Sequence, residues 1–200
     1  SKLVKFRIHY EDEAGNEGIL VNSTNNGSFV RIDTTFPELS DVSLVSNNPD
    51  NITAKENDQL TLSFRTTEPI QSPTDSDITI SGLSSLSFNK IDTEGYEWEV
   101  IGKVLSGQND NASFSITVLD KAGNRSSPVT ATDDNTQVVV DTTSPTLSGI
   151  TLVSNNINNP QTYAKPGDNI ILSFASSETI QTPVIKLADN DSLSVIDESS

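Results

Sequence analysis

The side chains in this sequence that could bind a ligand are acidic, and several of them recur at nearly constant spacing. Each recurs after 108 or 110 positions, in the pairs Asp12 and Asp120, Asp33 and Asp141, and Glu68 and Glu178. The amides Asn16 and Asn124 each follow a member of the first pair by four positions. Ca²⁺ prefers such carboxylate and amide oxygens and takes about six to eight oxygen ligands. These residues are the candidate calcium ligands of the chain.

The composition argues against other kinds of chemistry. The chain has no Cys and one His, so thiol catalysis, disulfides and zinc sites are not expected. Lys and Arg total 12 against 28 Asp and Glu, a formal net charge of -16. Nucleic acids and anionic lipids are bound through Lys and Arg, so neither is an expected partner. No catalytic triad, phosphate loop or catalytic carboxylate pair can be assembled, and we expect no enzymatic activity.

The acidic residues belong to a longer internal repeat. The segment Asp33-Thr34-Thr35-Phe36-Pro37 recurs as Asp141-Thr142-Thr143-Ser144-Pro145, and Leu44-Val45-Ser46-Asn47-Asn48 recurs as Leu152-Val153-Ser154-Asn155-Asn156. Ala14-Gly15-Asn16 recurs as Ala122-Gly123-Asn124. A period this constant indicates tandem modules. We predict the C-terminal part of one module at 1–32, a complete module at 33–140 and the N-terminal part of a third at 141–200.

Apolar and polar residues alternate through the complete module, as in Leu60, Leu62 and Phe64. Such alternation buries one face of a strand and exposes the other. It predicts about seven strands, over 39–46, 59–66, 77–81, 84–89, 96–101, 112–119 and 127–140, separated by Gly, Pro, Asn and Asp. The last of them is expected to be broken by a bulge near Asp133 and Asp134. No segment shows a helical period. The pattern is typical of an all-β, immunoglobulin-like sandwich.

That topology predicts where the acidic side chains meet. The linker with Asp33, the loop with Glu68 and the turn with Asp120 and Asn124 all reach the end of the module that faces the preceding one. Acids gathered there would repel one another unless a cation lay between them. The alternative is that Asp33 and Asp120 only cap turns and that the net charge serves solubility.

Several motifs carry a family resemblance. They are Val140-Asp-Thr-Thr-x-Pro-x-Leu147, Gly167-Asp-x-Ile-x-Leu-Ser-Phe174, Ser177-Glu-x-Ile180 and Asp120-Lys-Ala-Gly-Asn124. Together they resemble the tandem bacterial Ig-like repeats of large cell-surface proteins and adhesins, over essentially the whole chain. The resemblance implies a structural segment of an extracellular stalk or filament, secreted or displayed at the cell surface, with calcium at its junctions. A binding module for glycan or a host protein, or an accessory domain of a secreted enzyme, remains the alternative.

The two incomplete modules leave the partner open. Because the chain has no Met, we expect it to be a segment of a longer repeat protein. The neighbouring modules of that protein would then be its partners. Alternatively, adjacent chains complete each other by strand exchange and build a filament. Neither incomplete module supplies a counterpart of 96–101, which counts against strand exchange. No apolar run approaches the about 20 residues that span a bilayer, so no membrane insertion is expected in this sequence.

Overall fold

The computed structural model describes residues 1–157 and 162–187, and every regular element in them is a β-strand. The strands are β1 (Lys2–Leu3), β2 (Arg31–Ile32), β3 (Leu39–Ser46), β4 (Thr53–Ala54), β5 (Gln59–Thr66), β6 (Ile78–Ile80), β7 (Leu83–Lys90), β8 (Glu97–Val104), β9 (Phe114–Ile116), β10 (Val139–Val140), β11 (Leu147–Ser154) and β12 (Ile170–Ser176). The predicted all-β class is confirmed. Among the residues described, no helix is long and apolar enough to cross a membrane.

The chain divides into two compact units, Ser1–Thr142 and Thr143–Ser200. In the first unit, β3, β5, β8 and β7 form an antiparallel sheet in that order, and β6 pairs with β9. One buried apolar cluster joins residues of both sheets, including Leu62 on β5, Ile78 on β6 and Ile116 on β9. This arrangement is consistent with a β-sandwich, whose core forms between two inward-facing sheet surfaces.

Two of the predicted strands are shorter than expected. The strand expected over 112–119 is regular only at β9, and within 127–140 only β10 is a strand. Side chains take over backbone hydrogen bonds there: Val118 N–H donates to Ser126 Oγ, and Val42 N–H donates to Asp133 Oδ2. The short strand β4 was not predicted. It pairs in parallel with β10.

Residues 1–32 form a hairpin with the same local bonds as residues 109–140. Strand β1 pairs with β2, and Ile8 forms a bridge with Val21. The corresponding bridge in the longer module joins Ile116 and Val129. The hairpin turn contains Gly15 at φ 85, and the corresponding turn contains Gly123 at φ 96. The repeat in the sequence is therefore also a repeat in backbone geometry.

In the second unit, β11 and β12 pair antiparallel with the register of β3 and β5. Both pairs have an irregularity at the same place, between Ser148 and Thr151 in one and between Ser40 and Ser43 in the other. Inside that irregularity Gly149 has φ 61, and its counterpart Asp41 has φ 54. Positive φ favours Gly and is tolerated by Asp and Asn, so the repeat keeps the conformation while the residue changes.

Candidate metal centre

Three acids that are far apart in sequence meet within the first unit. Asp33, Glu68 and Asp120 each offer a carboxylate oxygen, and these oxygens lie within 4.8 Å of one another. Asp33 directly follows β2 and Glu68 lies just beyond β5. Asp120 lies in the turn closed by the bridge between Leu119 and Arg125. Among the residues described, this is the only group of three or more potential metal ligands.

Asp120 is the most rigidly held of the three. It is 1 % exposed, and its Oδ1 accepts the backbone N–H groups of Ala122, Gly123 and Asn124 at 2.8, 2.6 and 2.8 Å. Its Oδ2 accepts Asn124 Nδ2 at 2.8 Å. Burial raises the pKa of Asp120, but the hydrogen bonds from Asn124, Gly123 and Ala122 outweigh it and hold the pKa below its ordinary value. The carboxylate is therefore charged at neutral pH despite its burial.

Asp33 is held by the residue two positions on. Its Oδ1 accepts the Thr35 hydroxyl at 2.6 Å and the Thr35 N–H at 3.2 Å. These bonds, the hydroxyl first, lower the pKa of Asp33.

Glu68 differs from both, because its carboxylate makes no hydrogen bond or ion pair with any residue described. Its main chain is fixed instead: Thr66 Oγ1 donates to the Glu68 carbonyl at 2.8 Å. The side chain is half-buried. The charge of the Glu68 carboxylate is therefore not neutralised by any residue described.

The geometry fits a calcium ion. Two oxygens bound to one Ca²⁺ at about 2.4 Å can be at most about 5 Å apart, and the oxygens of the cluster meet that limit. Asp120 Oδ2 has one acceptor site left beside Asn124, whereas Oδ1 is fully used. Three carboxylates supply too few ligands alone, so water or carbonyl oxygens would complete the shell.

Asn124 supports the cluster through its amide nitrogen, and its ligand role stays a prediction. Its Nδ2 donates to Asp120 Oδ2 at 2.8 Å and to the Asp33 carbonyl at 3.3 Å. The amide nitrogen thus faces the cluster and ties the linker to the turn. Gln71, which was not predicted, also supports the cluster. Its Nε2 donates to the Asp120 carbonyl at 2.8 Å. The bridge between Ile70 and Asp120, with Gln71 N–H donating to the Leu119 carbonyl at 2.8 Å, brings these two loops together, and the sequence carries no local signal for it.

The other predicted ligands lie outside this cluster. Asp12 and Asn16 form the same capped turn as Asp120 and Asn124, with Asn16 Nδ2 donating to Asp12 Oδ2 at 2.7 Å, but the turn is exposed. Asp141 belongs to the first unit, where its N–H donates to the Ala54 carbonyl. Glu178 belongs to the second unit and follows β12. Their ligand roles stay predictions.

No protein-family model, curated protein or solved structure matches the chain, so its assignment depends on its own residues.

Proposed function

We propose that the chain is a segment of tandem immunoglobulin-like modules with a structural, non-catalytic role in an extracellular stalk or filament, and that calcium stiffens its junctions. The observation that supports this most directly is the cluster of Asp33, Glu68 and Asp120. Asp33 belongs to the linker that enters the module, whereas the other two belong to loops of the module itself. A cation among them would tie the linker to the module.

A short, fixed linker supports the same role. Asp33 is separated from Pro37 by three residues, and β3 begins at Leu39. Pro restricts the backbone, and the Thr35 and Asn124 contacts fix the residues around Asp33. Such a linker resists bending, which is what a rod of stacked modules requires.

The single Trp of the chain lends no support to the glycan-binding alternative. Binding of sugars commonly uses an exposed aromatic ring, and the single Trp of the chain, Trp98, is 4 % exposed. Its indole N–H donates to the Gly95 carbonyl at 3.1 Å, so the ring is part of the core.

Calcium should stabilise the first unit by a measurable amount. A ligand at ten times its Kd contributes RT ln 11, about 1.4 kcal/mol, which raises the Tm of a domain of this size by roughly 5 °C. We expect this rise between EDTA and millimolar calcium, measured by thermal unfolding followed through Trp98 fluorescence, which reports on the module of residues 33–140.

The variant Glu68→Gln isolates the metal effect. Because the Glu68 carboxylate has no hydrogen bond to lose, Glu68→Gln should leave the Tm in EDTA unchanged or slightly raised, through reduced repulsion. The rise with calcium should disappear. Glu56→Gln, an exposed change in a turn of the same module, should keep the full rise. A wild type whose Tm is the same in calcium and EDTA would refute the calcium proposal.

A further inference from the structure

The exposed turn at residues 24–28 holds the groups that the deamidation of an asparagine needs. Asn26 precedes Gly27, and this is the single Asn-Gly pair in the sequence. Because glycine has no side chain, its backbone nitrogen can approach the amide carbon of the preceding residue closely. Every residue of the turn is exposed, so water reaches it.

The hydrogen bonds of the turn favour attack on the Asn26 amide. Its Oδ1 accepts the Ser28 N–H at 3.0 Å, so a donor already lies where negative charge would develop during attack at Cγ. The attacking nitrogen, that of Gly27, is held by a bond of 3.4 Å to the Thr24 carbonyl, which is long for an N–H donor. The leaving nitrogen, Asn26 Nδ2, has no hydrogen-bond partner among the residues described.

The complete module carries the product of such a reaction at the same place. Asp134 is the counterpart of Asn26, and Asn135 is the counterpart of Gly27. Thr136 N–H donates to Asp134 Oδ1 at 3.0 Å, the distance found in the first turn. Asn135 has φ 58, and Gly27 has φ 70. An aspartate at position 26 therefore fits the turn as it stands.

The exposure of this turn does not depend on how much of the first module the sequence contains. Asp134 and Asn135 are exposed in the complete module as well. The turn is closed by its own residues, because Thr24 Oγ1 donates to the Ser28 carbonyl at 2.7 Å and the counterparts make the same bond at 2.9 Å. The turn is therefore a surface feature of the module itself.

We propose that Asn26 deamidates in the folded protein through a succinimide, which turns residue 26 into aspartate or isoaspartate. The Gly27 nitrogen loses its proton and bonds to Asn26 Cγ, the Cγ–Nδ2 bond breaks, and Nδ2 leaves as ammonia. Water then opens the ring. Opening at Cγ gives aspartate, and opening at the main-chain carbonyl gives isoaspartate. Each event consumes one water, releases one ammonia and transfers no electron. The turn gains one negative charge.

Peptide mapping by mass spectrometry tests the reaction on the whole chain, aged in EDTA at neutral and mildly alkaline pH. We expect Asn26 to show the mass increase of an amide-to-acid change first, and faster at the higher pH, because the nucleophile is the deprotonated Gly27 nitrogen. Asn22 is exposed in the same segment but is followed by Ser23, so it is the internal control and should react several times more slowly. Fragmentation that distinguishes the isomers should find both aspartate and isoaspartate at position 26.

Two variants test the route. Gly27→Asn copies Asn135, so it keeps a positive φ that Asn tolerates but places a side chain beside the attacking nitrogen. It should keep native amide NMR shifts outside the turn and slow the loss of the Asn26 amide several-fold. Asn26→Asp should elute from anion exchange with the aspartate form of the aged wild type.

Three results would overturn the proposal. The first is an Asn26 that reacts no faster than Asn22, and the second is a wild type that yields aspartate alone, which would mean direct hydrolysis. The third is an undiminished rate in Gly27→Asn. None of these measurements depends on calcium, so this proposal and the calcium proposal can fail separately.

Discussion

The hairpin of residues 1–32 and the corresponding hairpin of residues 109–140 have the same backbone bonds and opposite burial. In both, the Asp of the turn accepts N–H groups from the residues that follow it, and the Asn four positions later donates to the other carboxylate oxygen. Yet Ile116 is 0 % exposed and Ile8 is 50 % exposed. The turn and the pairing are therefore determined locally, whereas burial depends on strands β3, β5 and β8, which precede only the second hairpin in this sequence.

The largest expected difference is between Ile116→Ala and Ile8→Ala. Truncating a buried Ile leaves a cavity and should cost about 2–5 kcal/mol of the free energy of unfolding of the complete module. Truncating Ile8 removes atoms that are already half in water, and should change that value by less than about 0.5 kcal/mol. Urea unfolding followed by Trp98 fluorescence at low protein concentration measures both. Equal losses would mean that the hairpin and the module unfold together.

A smaller difference is expected between Asp120→Asn and Asp12→Asn in EDTA. Asn at position 120 lacks the negative charge that three backbone N–H groups stabilise, and its own amide N–H group would face the amide N–H group of Asn124. The free energy of unfolding of the module should therefore fall by about 1–3 kcal/mol. Asp12→Asn changes an exposed turn and should leave the unfolding of the module unaltered.

The effect of Asp120→Asn on the stability of the module should also depend on pH. The folded pKa of Asp120 lies below the unfolded value of about 3.9, so its contribution to stability is complete above that pH and is lost as the pH falls through the folded pKa. The difference between wild type and Asp120→Asn should therefore be constant near neutral pH and shrink below about pH 4. Urea unfolding at a series of pH values measures it, and a difference that grows in acid would contradict the assignment.

The smallest effect concerns Asp41, whose counterpart in the second unit is Gly149. At φ 54 a Gly relieves backbone strain but adds freedom to the unfolded chain, so Asp41→Gly should change stability by less than about 0.5 kcal/mol. Asp41→Val, which is β-branched, should cost about 1–2 kcal/mol. Urea unfolding distinguishes the two, and a tolerated Val would mean that the irregularity in β3 relaxes easily.

The sequence predicted those features that depend on nearby residues. Strands β3 and β5 lie at the predicted positions because alternation and flanking turn residues define them. A break in 127–140 near Asp133 and Asp134 was expected from the sequence, but two features could not be found in this way. The bond from Val42 N–H to the Asp133 carboxylate joins distant parts of the chain, and β4 depends on a partner in β10 far along the chain. The candidate site shows the same division: repeated acids identified Asp33, Glu68 and Asp120, whereas the supporting bond from Gln71 required the fold.

The parallel pairing of β4 with β10 has a mechanical consequence. Val139 N–H donates to the Ile52 carbonyl at 2.8 Å and Asp141 N–H donates to Ala54 at 2.9 Å, so the last strand of the module is fastened to a strand near its beginning. Tension applied through the two ends of residues 33–141 pulls these strands in opposite directions along their length. The bonds between them are then loaded in shear and must yield together rather than one after another, as they would in an unzipping hairpin.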